Sequence, residues 1–146
     1  MAVNLKQNQD MSAGLQGTDL DDGAFVIVTI PWNAVTNTAA VLVVEGPVFT
    51  RRMIVKDIRH VTSVAAANAV TATVYKTASG TALGSGTALH SGTANLQATA
   101  ATPVQLTLST TAGALDVAAG NRIGAVISGA VGATGVGCIT VTLAPA

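Results

Sequence analysis

The sequence predicts an all-β fold, an antiparallel sandwich or barrel, and three observations support this prediction. Short segments alternate valine, isoleucine or leucine with threonine, which is typical of strands that bury one face. Glycine-rich turns separate these segments. No long segment has the periodicity of an amphipathic helix, and 146 residues are enough for one domain with its own core.

Eight segments have the composition and spacing of strands. They are residues 24–30, 39–45, 48–63, 69–76, 96–99, 104–109, 122–128 and 137–143. The alternation in the fourth and eighth segments predicts the core-facing side chains Val70, Ala72, Val74, Ile139, Val141 and Leu143. Residues 115–119 form a short apolar run, for which we expect a loop.

Turn residues between the segments agree with this assignment. Glycine follows serine at Gly80 and Gly92 and precedes asparagine at Gly120, and such pairs supply the backbone freedom that tight turns need. The motif at residues 84–86, Gly-Ser-Gly, lacks the following helix and the lysine of a phosphate-binding loop. It therefore predicts a hairpin connection.

The first 22 residues differ from the rest of the chain. They are rich in Asn, Gln, Asp and Gly and show no sustained alternation, so they cannot bury enough surface to fold alone. We expect an N-terminal arm over residues 1–22, either extended along a neighbouring subunit or frayed, followed by a β-sandwich domain over residues 23–146. The composition predicts neither a signal peptide nor a membrane span.

Charge is scarce in the second half of the chain. Between Thr77 and Ala146 only Asp116 and Arg122 are ionised at neutral pH. Soluble monomers usually intersperse charges of both signs, so this surface predicts an assembly subunit whose faces are covered by other protein. The net charge is zero, which gives no electrostatic footprint for a nucleic-acid or anionic-membrane partner.

An acidic cluster lies at the end of the predicted arm. Asp19, Asp21 and Asp22 precede Gly23, as at the start of a calcium-binding loop. The twelfth position of such a loop would be Ile30 instead of a bidentate glutamate, so we favour a solvated turn over a metal site.

A basic cluster surrounds one acid in the third predicted strand. Strict alternation would place Arg51, Asp57 and Arg59 on one face of the strand, and Arg52 and Lys56 on the other. Two interpretations stay open. The charges protect an edge strand from aggregation, or they form ion pairs with a neighbouring subunit or a shell.

Catalytic and metal-binding motifs are not evident in the sequence. His60, His90 and Cys138 are the only soft ligands, and their spacing matches no zinc motif. We expect a half-exposed His60 and a Cys138 that behaves as a small buried hydrophobe. Trp32, the only tryptophan, anchors either the core or an interface. We therefore expect no enzyme, no metal and no cofactor.

Five motifs follow one another between residues 65 and 129. They are T-x-x-V-Y-K at residues 71–76, S-G-T-A-x-G-S-G-T-A-L at 79–89, L-x-A-T-A at 96–100, LTLSTT at 106–111 and A-A-G-x-R-I at 118–123. In this order they resemble small structural proteins of tailed-bacteriophage heads. The resemblance implies a jelly-roll β-sandwich that decorates or cements the capsid exterior, commonly as a symmetric cluster held by arms.

From this resemblance we expect a virion protein on the capsid exterior, made in the host cytoplasm. Its expected partners are the major capsid protein and sister copies, with a trimer as the first expectation, and not nucleic acid or membrane. The expected contact residues are Asp19, Asp21, Asp22, Trp32, Arg51, Arg52, Lys56 and Arg59. The alternative is a head-fibre or tail-associated module that binds host carbohydrate, which the scarcity of aromatic residues disfavours.

Overall fold

Two antiparallel β-sheets packed face to face form the fold in a computed structural model, which describes residues 25–33, 41–129 and 135–146. The six long strands are β1 (Val26–Asn33), β2 (Val41–Val48), β3 (Met53–Val64), β4 (Val70–Ala78), β9 (Asn121–Gly129) and β10 (Val136–Pro145). Four two-residue strands lie between them: β5 (Thr87–Ala88), β6 (Ala94–Asn95), β7 (Val104–Gln105) and β8 (Asp116–Val117). The predicted all-β sandwich is confirmed.

The first sheet has the strand order β1-β10-β3-β7, with β8 also pairing with β3. The second has the order β2-β9-β4-β5, with β6 also pairing with β4. The chain crosses between the sheets six times, from β1 to β2, β2 to β3, β3 to β4, β6 to β7, β8 to β9 and β9 to β10, as in a double-sheet jelly roll. Each sheet thus has one long edge strand, β1 or β2, and a ragged edge of short strands opposite.

Alternating side chains of the long strands fill the space between the sheets. The six predicted core residues of β4 and β10 are all at most 1% exposed: Val70, Ala72, Val74, Ile139, Val141 and Leu143. Ile30, Ile58 and Ile123 join them from β1, β3 and β9. The period-two prediction is confirmed in these strands because each has one face on the core.

A β-bulge interrupts the alternation in β3. Thr142 pairs with Asp57 and Leu143 pairs with Val55, which leaves Lys56 as the extra residue. Val55 before the bulge and Ile58 after it are both buried. Strict alternation is therefore wrong across this strand. Because of the extra residue at the bulge, Val55 and Ile58 face the core although they are three positions apart, where alternation would put them on opposite faces.

The segments between β4 and β9 are less regular than predicted. The predicted strand at residues 96–99 is wrong: β6 ends at Asn95, whose side-chain oxygen accepts the Gln97 amide at 3.0 Å and turns the chain. The predicted strand at 104–109 is regular only over β7. Residues 115–119, expected to be a loop, contain β8, in which Val117 pairs with Met53.

The connection from β4 to β5 forms the predicted hairpin. A short 3₁₀ helix, Leu83–Ser85, lies in the loop, and its Leu83 side chain is buried against Gly124 on the outer side of the second sheet. A Cβ at Gly124 would come within 2.6 Å of Leu83 and 2.5 Å of the Val44 carbonyl oxygen, so this close approach requires glycine.

Candidate interaction surface

The two long edge strands lie on the same side of the sandwich, where β1 and β2 pass close together without pairing. Four large apolar side chains are exposed there: Phe25 is 63%, Ile27 66%, Val41 48% and Val43 47% exposed. Ile27 lies on the outer side of β1, and Val41 and Val43 on the outer side of β2. We call these four residues the edge patch. They therefore lie on the two outer sides of the sandwich, along its β1 and β2 edges.

The edge patch arises from two continuous apolar runs. Residues 25–28 read Phe-Val-Ile-Val and residues 41–44 read Val-Leu-Val-Val. Continuous apolar runs are typical of strands that are covered on both faces. In this chain only one face of each run turns toward the core, through Val28 and through the partly buried Leu42 and Val44. The other face has no cover from the described residues.

Protection against edge pairing is confined to the far ends of these strands. β1 contains Pro31, and β2 contains Glu45 and Pro47, which are residue types that natural proteins place on sheet edges. The stretches from Val26 to Ile30 and from Val41 to Val44 carry no charge and no proline. An uncharged edge of this kind is suited to contact with another protein surface.

The outer face of the first sheet is also nearly neutral beside the edge patch. Thr29 pairs with Thr140, and Ile27 pairs with Thr142. Cys138 lies on the same face between Pro31 and Val61 and is partly exposed. Its expected burial is therefore wrong, because the neighbouring Ile139 occupies the core-facing position of β10.

The basic cluster is largely neutralised within the chain. Arg59 Nε lies 2.6 Å from Asp57 Oδ2, and Gln105 Nε2 donates to Asp57 Oδ1 at 2.9 Å. Arg52 donates from Nε and Nη2 to the two Asp116 oxygens at 2.8 and 2.5 Å. These pairs occupy Arg52 and Arg59, two of the four basic residues among the predicted contact residues.

The other two basic residues occupy different environments. Lys56 is exposed at the bulge, and Arg51, which precedes β3, is half-buried. The cluster is therefore not a single row of free cations.

Asp116 connects the ends of the two sheets. Its side-chain hydrogen bond with Arg52 lowers the pKa of the Asp116 carboxyl and raises the pKa of the guanidinium. Lys76, at the end of β4, donates from Nζ to the carbonyl oxygens of Gly113 and Asp116. Desolvation lowers the pKa of Lys76, and the nearby Asp116 charge partly opposes this shift.

The other predicted contact residues lie in the core or outside the described residues. Trp32 is 2% exposed and belongs to the core cluster, which favours the core-anchor interpretation. Asp19, Asp21 and Asp22 lie outside the described residues, as does the whole predicted arm over residues 1–22. Among the described ranges, no group of three or more His, Cys, Asp or Glu side chains is placed to hold a metal ion. No helix in these ranges has the length and apolar character needed to cross a membrane.

Both histidines are buried. His60 is 1% and His90 3% exposed, so the expectation of a half-exposed His60 is wrong. His60 follows the bulge, which turns it onto the core face between Ile139 of β10 and Val104 of β7. Burial lowers the pKa of both imidazoles.

Comparisons with known proteins give no relative for this chain: no protein-family model, no curated protein and no solved structure matches it. The edge patch was not among the residues singled out from the sequence. The sequence does contain a signal for the edge patch, because residues 25–28 and 41–44 are continuous apolar runs, with apolar side chains on both faces of the strand. Alternation considers only the one face that is buried against the core.

Proposed function

We propose that this protein is a non-enzymatic structural subunit that decorates and stabilises the outer surface of a tailed-phage capsid. The edge patch is the observation that supports this proposal most. It offers uncharged, apolar strand edges that an isolated domain would normally protect. The major capsid protein and sister copies of the chain are the partners that would cover it.

Covering the edge patch would provide a substantial contact energy. The four side chains together expose on the order of 400 Å² of mostly apolar surface, divided between the outer sides of β1 and β2. At ~25 cal/mol per Å² its burial is worth roughly 10 kcal/mol before the entropic costs of association. Many copies on a symmetric shell would multiply such contacts and so resist its expansion or rupture.

The distribution of charge supports a role for the N-terminal arm. Residues 1–24 contain four acidic residues and Lys6, which gives a net charge of −3 (1 − 4). Residues 25–146 contain six basic and three acidic residues, which gives +3 (6 − 3). The arm and the sandwich therefore attract each other, and in an assembly the arm of one copy would bind the sandwich of a neighbour near Lys56, the exposed cation at the bulge.

Lys56 is well placed for such an arm. The chain enters the sandwich at Phe25, immediately before the row in which Val26, Leu143 and Val55 pair across three strands. Lys56 follows this row directly. The acidic residues Asp19, Asp21 and Asp22 precede Phe25 by only three to six residues. We therefore propose the acidic cluster and Lys56 as contact residues in the assembly.

Capsid binding by point variants tests the role of the edge patch. Ile27→Arg and Val43→Arg place a charge in the patch, whereas Ser79→Arg places the same charge on the exposed β4–β5 turn as a control. We expect each patch variant to bind purified capsids at least about tenfold more weakly, a loss of about 1.4 kcal/mol. Wild-type affinity of both patch variants would contradict the proposal.

Deletion of residues 1–22 tests the arm separately. We expect the truncated chain to fold but to lose clustering or capsid attachment. Replacement of Asp19, Asp21 and Asp22 by asparagine should weaken the salt-dependent part of binding more than Asp10→Asn does. Undiminished attachment of the truncated chain would contradict a role for the arm and leave the edge patch as the contact surface.

Carbohydrate binding remains the alternative function. Sugar sites commonly use aromatic platforms, and Trp32 and Phe49 are both buried in the core cluster. Exposed Phe25 and half-buried Tyr75 lie on different sheets, so the described residues offer no pair of aromatic platforms on one face. The capsid interpretation is therefore favoured.

A further inference from the structure

A hydrogen-bonded segment closes the side of the sandwich opposite the edge patch. The Leu89 amide donates to the Val74 carbonyl of β4 at 2.9 Å. On its other side the segment pairs with residues 107–109, where the Ser91 amide donates to the Thr107 carbonyl at 2.9 Å. The Leu106 amide then donates to the Ile58 carbonyl of β3 at 2.9 Å. Main-chain hydrogen bonds therefore run from the second sheet to the first on this side.

His90 takes the place of a strand carbonyl in this closure. Its Nε2 atom accepts the Val74 amide at 3.0 Å. A backbone N–H can only donate, so Nε2 must be unprotonated, and the ring proton of neutral His90 lies on Nδ1, which is 3.4 Å from the Ser91 carbonyl oxygen. Protonation of Nε2 would make it a donor facing the Val74 N–H, which is also a donor, and the hydrogen bond would be lost. Because His90 is only 3% exposed, water could not replace the lost bond while the closure is formed.

His60 faces the same interior from the first sheet. Its Nδ1 atom is buried and has no hydrogen-bond partner among the described residues. After desolvation, the largest influence that lowers its pKa is the charge of His90, so the two imidazoles disfavour each other's protonation. A second proton on either ring would place a charge in the interior without a compensating anion, and for His90 desolvation outweighs the opposing effect of the Ser91 carbonyl, which raises its pKa.

No carboxylate of the described residues is positioned to compensate such a charge. Asp57 lies on the outer face of β3 with Arg59, Asp116 pairs with Arg52, and Glu45 lies 2.7 Å from Arg122. On β4 the neighbouring ionisable groups are Tyr75, on the outer face, and Lys76, which is bound to the carbonyls near Asp116. The strand partners of His60, which are Ile139 and Val104, and the bridge partner of His90, Leu108, do not titrate.

We propose that His60 and His90 form an acid-responsive closure, in which protonation releases residues 86–109 from β4 while the ladder of β1, β10 and β3 stays paired. The opened segment exposes both rings to water, so that their protonation becomes favourable. The opposite side of the sandwich contains no histidine, because these two are the only histidines in the chain. Acid therefore acts on one side of the fold.

The direction and size of the effect follow from linkage. Both imidazoles are neutral when the closure is formed. Once the segment has opened, both rings are exposed to water, His90 in the segment and His60 on β3, and they titrate near the ordinary value of about 6.5. The closure is thus fully formed above this pH and weakens as the pH falls below it. Between pH 7.5 and 5.5 the opening constant rises about tenfold for one histidine that is protonated only when open, and about 100-fold for two.

Amide hydrogen exchange of the full chain tests the proposal. Protection factors of the Val74 and Leu89 amides, corrected for intrinsic exchange, should fall between pH 7.5 and 5.5 by about 10- to 100-fold. At both pH values they should stay well below the protection factor of Val141 in β10, which remains paired when the closure opens. In His90→Gln the glutamine amide oxygen can still accept the Val74 N–H. The fold-change in protection between the two pH values should be about tenfold smaller in this variant than in the wild type. In the histidine-free double variant with His60→Gln it should vanish.

Three results would overturn the proposal. One is equal pH dependence in the wild type and the histidine-free variant. Another is protection of Val74 and Leu89 equal to that of Val141 at both pH values, which would show that these amides exchange only through global unfolding. If the variants do not fold, ¹⁵N NMR of wild-type histidines decides the question. A His90 ring protonated on Nδ1 alone that resists titration well below pH 6.5 is expected, and a ring that titrates at its ordinary pKa in the folded protein would refute the closure.

Discussion

A matched pair of isoleucine substitutions separates residues that hold the fold from residues left for a partner. Ile139 is fully buried at the centre of the first sheet, and Ile27 is 66% exposed on the adjacent strand β1. Isoleucine to alanine removes three carbon atoms, worth about 0.8 kcal/mol each when they are fully buried. We therefore expect Ile139→Ala to cost about 2.4 kcal/mol in transfer free energy, and about 3–4 kcal/mol once the cavity is included.

The same substitution at Ile27 removes carbon atoms that are only one third buried. The expected loss in the free energy of unfolding is therefore about 0.8 kcal/mol or less, scaled from the full transfer value. Urea denaturation of the purified chain at low concentration measures both values, and the denaturant dependence should be unchanged in both variants. A loss at Ile27 as large as that at Ile139 would show that this side chain is covered in the isolated chain and would refute the edge patch as a free surface.

Three further predictions concern stability. Gly137→Ala should destabilise the fold by about 1–3 kcal/mol in urea denaturation, because its Cβ would lie 2.3 Å from the Val61 carbonyl oxygen and 2.9 Å from Trp32 Nε1. Gly84→Ala is the control and should be nearly neutral, because its Cβ would meet only a Val126 methyl group at 3.8 Å. Asp116 has a lowered pKa in the fold, so the stabilisation it provides is present above its unfolded pKa and is lost as the pH falls through its folded pKa. Asp116→Asn should remove this dependence of stability on acid pH and make stability less sensitive to salt. An unchanged pH profile of stability would contradict a stabilising pair between Asp116 and Arg52. Thr62→Val removes the 3.1 Å hydrogen bond to the Ala98 carbonyl and should cost about 1 kcal/mol, whereas the exposed Thr93→Val should cost almost nothing.

Strands with one buried face were readable from the sequence. In β4 and β10 each core residue is followed by a threonine or another outward residue, and burial in the structure follows this pattern without exception at the six predicted positions. Glycine turns also appeared where expected, with positive φ angles at Gly80, Gly92 and Gly120. Alternation succeeds here because these strands have regular partners on both sides.

The features that alternation missed depend on partner strands. The bulge at Lys56 has no local signal, since it arises from how β3 matches β10, and it moved His60 from the expected surface to the core. The prediction of regular strands at residues 96–99 and 104–109 was wrong because these segments form hydrogen bonds that run from one sheet to the other and do not extend either sheet over their full length. The pairing of Arg52 with Asp116 joins residues 64 positions apart, which only the fold brings together.

The most direct test of the proposed function is the copy number of this chain in virions assembled from the genome that encodes it. Quantitative mass spectrometry of purified particles would compare it with the major capsid protein. We predict a copy number of the same order as that of the shell protein, as a subunit that cements the whole shell requires. A few copies per particle would indicate a fibre or tail component instead, and absence from the particle would contradict the structural role.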